Sequence, residues 1–261
     1  MRPSTQRRVV SALIGFSFLC TALFVRSAPS AASLNIPKGI ICRDELAPKR
    51  REELAGRLRA ITGWPRIGFN EGGGLEVGLT TAHGGSQTAR NLITKALSGT
   101  NVIVLEDASN RQDVVFCRVV RAAWKHHVSQ MPPTFVMLID FADFDRLMGD
   151  QAALEAFDEG WVFLHEIDHV VNDSGDAAGA GEPGECEDHI NLMRRECNLP
   201  IRTDYFFMYF PYARQSDFRT RFVRLAFDQE NPTTKKRRRY WVMWDATLVG
   251  GLNPREIAIG R

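Results

Sequence analysis

The stretch Trp161-Val-Phe-Leu-His165-Glu166-Ile-Asp-His169-Val-Val-Asn172 constrains this chain more than any other. Phe163, Ile167 and Val170 recur at helical spacing, so the stretch reads as a helix with one face in a core. His165 and His169 stand at i and i+4, which projects both imidazoles from a second face, close enough to share one metal ion. Glu166 is placed to take a proton from a water molecule polarised by that ion. The bland alternative is two histidines on a solvated helix face beside a carboxylate. The apolar flanks, the preceding strand and the Asn172-Asp-Ser-Gly175 exit favour Zn²⁺ instead.

A catalytic zinc usually takes a third protein ligand. The astacin-like spacing asks for His or Asp six residues after His169, where Gly175 stands; Asp176 misses by one. The other source is the acidic segment Gly181-Glu182-Pro-Gly-Glu185-Cys186-Glu187-Asp188-His189. Residues 184–197 read as a helix with the apolar stripe Cys186, Ile190, Met193 and Cys197. Glu185 and His189 border one side of that stripe, Glu187 the other, and Asp188 points away. Glu185 is taken as the third ligand, with Glu187, Asp188 and Asp176 open as alternatives. Acids at a helix N-terminus also follow from dipole compensation alone.

The rest of the chain reads as an α+β fold. Leu54, Leu58 and Ile61 mark an amphipathic helix over 48–62, and Ile67–Phe69 with Leu75–Leu79 suggests a short hairpin. Ser86 caps a helix ending at Gly99, and Val102–Leu105 is a short buried strand. Residues 113–124 fit helix and strand equally. Phe135–Ile139 is a strand, and Asp140, Asp143 and Asp145 after it read as capping or solvated carboxylates, without the spacing of a calcium loop. One long helix is expected over 151–172, and aromatic strands at Tyr205–Phe210 and Tyr240–Trp244.

Charge and cysteine content depend on the N-terminus. Arg2, Arg7 and Arg8, an apolar run from Val9 to Val25 and the small residues up to Ala32 make residues 1–32 a secretory signal peptide, with an uncleaved anchor as the alternative. The formal +2 of the 261 residues includes four Arg and no acid in that segment, so residues 33–261 carry −2. Five bases of the remainder sit in one run, Lys235–Arg239, which reads as a solvated stretch before an aromatic strand. No nucleic-acid partner is expected, and membrane contact only through an uncleaved signal. Export makes disulfides among Cys42, Cys117, Cys186 and Cys197 plausible, with four buried thiols the alternative. Cys186 and Cys197 are excluded as a pair, since a helix would separate their Cα atoms by about 16 Å.

HEIDH, an acidic helix, then Asn191-x-x-Arg194-Arg195-Glu196-x-x-Leu199-Pro200-x-Arg202-x-x-Tyr205 resembles the zincin metallopeptidases of bacterial effectors and polymorphic toxins. The Arg-x-x-Tyr pair also resembles that of clostridial neurotoxin light chains. The specific motifs span 165–205, and a looser likeness reaches 86–210. The resemblance implies one zincin-like metallopeptidase domain over 33–261, its active-site helix packed on a small mixed sheet. It further implies a zinc endopeptidase acting on a protein or peptide, with Arg202 and Tyr205 as donors to the developing oxyanion; its export, to the periplasm or the outside, is expected from the signal peptide. By fold analogy, the strand at 135–139 would run beside the substrate as an edge. The rival readings are an envelope protein with a structural zinc and a binding module in which HEIDH is coincidental.

Overall fold

A computed structural model of the chain describes residues 38–122, 131–209 and 221–249. The expected signal peptide and its cleavage point lie outside them. The described residues fall within one compact unit, Ile36–Arg261.

The chain enters on β1 (Gly39–Cys42) and α1 (Pro48–Thr62), followed by the hairpin β2 (Ile67–Phe69) and β3 (Leu75–Val77) and by α2 (Gln87–Ser98). Then come β4 (Val102–Asp107), β5 (Cys117–Arg121), β6 (Thr134–Ile139), the single turn α3 (Phe141–Phe144), β7 (Met148–Gly149) and α4 (Gln151–Glu155). The last elements are α5 (Glu159–Asn172), α6 (Gly184–Glu196), β8 (Ile201–Arg202), β9 (Met208–Tyr209), β10 (Phe222–Glu230) and β11 (Arg237–Asp245). This is a mixed α+β fold. Pro48 opens α1 where its missing N–H costs nothing, and Gly63 at φ 68° closes it. Ser86 opens α2 by accepting the Ala89 N–H at 2.9 Å.

The first sheet has the order β1-β4-β6-β5. The first three strands are parallel; β5 is antiparallel to β6, with Cys117 opposite Ile139. The strand at 135–139 is therefore internal, and β5 is the edge. The ambiguous segment becomes strand where Val119 and Val120 favour a pleated surface and β6 offers a partner. The second sheet pairs β7, β11, β10 and β8, with β9 also on β10. Its centre is the hairpin β10–β11, in register from Phe222 opposite Asp245 to Glu230 opposite Arg237. The basic run begins in the turn of this hairpin, and its Arg239 forks onto Asp228 at 2.7 and 2.9 Å. Of the strand expected over 205–210, only β9 forms; Tyr205 and Phe206 lie in a bend and residue 210 is outside the described residues.

Two apolar cores meet at α5. The first gathers Leu54, Leu58, Ile93, Ile103, Met137, Trp161, Phe163 and Leu164 between the helices and the first sheet. The second gathers Phe116, Phe157, Leu225, Phe227, Val242 and Trp244 on the second sheet, with Val162 of α5 packed against it. The single helix expected over 151–172 is broken. Asp158 is extended, at φ −133° and ψ −178°, and its carboxylate accepts the N–H groups of Gly160 and Trp161, starting α5 afresh. Cys42, Cys117, Cys186 and Cys197 are free thiols, against the disulfides that export made plausible; Cys42 and Cys186 are buried, and Cys117 and Cys197 partly so. Among the described residues no helix is long and apolar enough to cross a membrane.

Candidate metal centre

Burial of Trp161, Phe163, Leu164 and Ile167 fixes the rotation of α5 about its axis. His165 and His169 are thereby turned to the same side. Their Nε2 atoms lie 3.1 Å apart, with the rings edge to face. The helix stops at Asp173, whose left-handed φ of 57° folds the chain back. That reversal carries Asp176 over the pair: its Oδ1 is 3.1 Å from His165 Nε2 and 3.4 Å from His169 Nε2. A tetrahedral ion with bonds near 2.0–2.1 Å spaces its ligand atoms by about 3.4 Å. The three atoms thus approximate one face of a zinc tetrahedron, and solvent reaches its edge at Asp176, which is 39% exposed.

The remaining ring nitrogens are held from behind. His169 Nδ1–H donates to the Ser174 carbonyl at 2.7 Å, and His165 Nδ1 faces Glu187 Oε2 at 3.4 Å. Such partners fix the tautomer that leaves Nε2 lone pairs for a metal. With protons in place of an ion, burial disfavours a charged His165, but hydrogen bonds to Asp176, Cys186 and Glu187 outweigh it and raise its pKa. Asp176 likewise raises His169. Burial pushes Asp176 up, yet both imidazoles hold it well below the usual carboxylate range. These protons must leave when a cation binds.

Cys186 is a second candidate donor. His165, His169 and Cys186 offer donor atoms within 4.8 Å of one another and can hold a metal ion. Asp176 makes the tighter triangle, however. The Cys186 thiol donates to the His165 carbonyl at 3.2 Å, and burial pushes its pKa up to about 12, against the thiolate a metal needs.

The expected third ligand, Glu185, does not reach the imidazoles. It is exposed on α6, and its carboxylate approaches the backbone N–H of Gly175 at 3.4 Å, bracing the reversal instead. Asp188 is exposed, consistent with its angular place on the helix. Glu187 is buried behind His165, in ion pairs with Arg194 and with Arg202, the latter at 3.2 Å. Burial would protonate it, but Arg194 and Arg202 keep it strongly acidic.

Arg202 departs from its expected part in oxyanion binding. Its guanidinium is committed to Glu187, to the Asp204 carbonyl at 3.0 Å and to the Tyr205 carbonyl. It steadies Glu187, and through it His165. Tyr205 does lie at the site: its ring stacks on His165 at 6.1 Å between centroids, and burial followed by contact with Asp176 raises the phenol. Glu166 is 7% exposed and accepts the Val119 N–H of edge strand β5 at 2.8 Å. Burial raises its pKa, tempered by His165 and His169.

One support had no sequence signal. Asp168 holds His189 Nδ1 at 2.8 Å, and the same nitrogen meets Ser174 Oγ at 3.4 Å. Because Asp and Ser share one ring nitrogen, the trio is no nucleophile relay; it braces the loop that presents Asp176. Comparison of the chain with protein-family models, curated proteins and solved structures finds no match.

Proposed function

We propose that this chain is a zinc-dependent hydrolase of peptide bonds, exported through its N-terminal segment. The observation that carries the reading is the triangle of His165 Nε2, His169 Nε2 and Asp176 Oδ1, three donors of a four-coordinate ion, with Glu166 next to His165 on α5 and in the same cavity wall. A fully closed ligand set is the mark of a structural zinc, and an open position that of a catalytic one. A zinc ion bound there would act as a Lewis acid, polarising a carbonyl and lowering the pKa of water towards neutrality. Glu166 takes the proton from that water as its oxygen bonds to the carbonyl carbon. It then returns the proton to the nitrogen as the C–N bond breaks, giving a carboxylic acid and an amine, which then exchange a proton to become carboxylate and ammonium. Tyr205, whose ring stacks on His165, would supply a phenol donor to the developing oxyanion. Glu187 and Ser174 hold the imidazoles in register throughout.

Two measurements test this together. Purified protein lacking residues 1–32 should contain about one zinc per chain, and Glu166→Gln should keep that zinc while losing peptide cleavage by about 10³-fold or more. Cleavage retained by the variant would remove Glu166 from its role; protein that binds no zinc would end the reading altogether.

A further inference from the structure

A cavity of about 270 Å³ opens between α5 and the second sheet, with His165 and Glu166 in its wall. Its remaining lining is largely apolar and rich in aromatic rings, including Phe116, Phe157, Val162, Phe207, Leu225 and Trp244. Phe116 forms edge-on pairs with Phe157 and Trp244, each at 5.1 Å. Its backbone stands at φ 60°, a conformation costly for a bulky residue. The N–H of Phe116 donates to Asp143 and its carbonyl accepts from Asp140, so the strained turn is pinned at both ends. The fold thus accepts strain to aim an aromatic ring into this wall.

Most polar groups bordering the cavity are engaged; among the described residues Trp244 Nε1 is the exception, a buried N–H with no hydrogen-bond partner. Arg194 spends its guanidinium on Glu187, Asn191 and the Ala156 carbonyl, and Arg202 is committed as described. Trp244 Nε1 can meet one acceptor, but the wall is otherwise mostly apolar, so an apolar side chain gains the most from burial and a charged one loses its water for little return.

We infer that the cavity receives a bulky apolar side chain of the substrate, aromatic or branched aliphatic, adjoining the bond that is cut. The inference rests on the hydrolase reading and adds the class of peptide it takes. Val162 sets the size limit: it lies one turn before Glu166 on α5 and is only partly buried at the cavity.

Two experiments separate this from the reading beneath it. Zinc-loaded Glu166→Gln protein is titrated with acetylated pentaalanine peptides carrying Phe, Glu, Lys or Ala at the centre, following the fluorescence of Trp161 and Trp244. The Phe peptide should bind about tenfold tighter than the Ala peptide, and Val162→Phe should erase that advantage. Equal binding of Phe and Ala peptides, or the Glu peptide binding tightest, overturns the inference. Wild-type protein is then given a mixed peptide library and its cuts mapped by mass spectrometry. Cuts should cluster beside Phe, Tyr, Trp, Leu or Met, and Val162→Ala should shift them towards the largest of these. Cuts without such clustering overturn the inference and leave the hydrolase standing. Zinc-loaded protein that cuts nothing overturns the hydrolase, and with it the cleavage-site assignment.

Discussion

Asp176 and Cys186 lie close to the same two imidazoles, yet they ask for different chemistry. Asp176 is ionised before any cation arrives and already spans the two Nε2 atoms at 3.1 and 3.4 Å. Cys186 would have to give up a proton in a fully buried place and release the His165 carbonyl. Removing Asp176 should therefore cost far more than removing the thiol. We expect Asp176→Ala to weaken zinc binding by about 100-fold or more, and Cys186→Ser to change it by less than about tenfold, measured by competition with a chelating dye. The reverse order would move the third donor to Cys186. The pairing of His165 with His169 is legible in the sequence because it needs only helical spacing. Asp176, the third donor we propose, is there only one alternative among four acids, because its approach depends on the left-handed turn at Asp173, which brings in a residue seven positions after His169 where spacing rules look to the sixth. Arg202 was misread for a related reason: a sequence reveals a guanidinium but not the buried Glu187 that occupies it.

At the scale of elements, the site depends on how α5 is started and packed. Asp158 caps it, and Gly160 lets α1 approach; a Cβ there would stand 2.7 Å from Arg57 Cβ and 2.9 Å from Ile61 Cδ1. Gly160→Ala should lose about 1–3 kcal/mol by urea unfolding, despite the better helix propensity of Ala. Most helices and strands were legible from periodicity and turn residues: α1, α2, the β2–β3 hairpin and α6 follow their patterns closely. The break at 156–158 was not, because Ala156 and Phe157 continue an apolar rhythm while actually turning into the second core. In that core's sheet, the Asp228–Arg239 pair supplies a test with a defined pH dependence. The hydrogen bond from Arg239 holds the Asp228 carboxyl below its ordinary 3.8 in the folded state. The pair therefore stabilises the fold above pH 3.8, and that contribution is lost as pH falls through the lower folded value. Arg239 is half-exposed, so screening limits the effect. Asp228→Asn should cost about 0.5–1 kcal/mol at neutral pH and nothing once the wild-type carboxyl is also protonated, as thermal unfolding across that range would report.

For the molecule as a whole, α5 is the element both cores share: Trp161 and Phe163 lie in one, while Val162 packs against the other. The bracing around the site extends the same connection, since Glu187 ties His165 to Arg202 of β8, and β8 pairs with β10. A cation drawn between His165, His169 and Asp176 would therefore clamp the C-terminal end of α5 to the reversal that follows it, and through Glu187 to the second sheet. Unfolding disperses these ligands across residues 165–176, so the free energy of binding becomes free energy of folding. At zinc a thousandfold above its dissociation constant the gain is about 4 kcal/mol. For a domain of this size that corresponds to a rise in Tm of about 10 °C. Stripping the metal with a chelator should lower Tm by that amount, and restoring zinc should reverse it. Asp176→Ala should show little of this shift, because it removes a corner of the clamp without touching either core. A Tm insensitive to chelation in zinc-loaded protein would mean that the ion binds equally well to the unfolded chain, and the site would then contribute chemistry without stability.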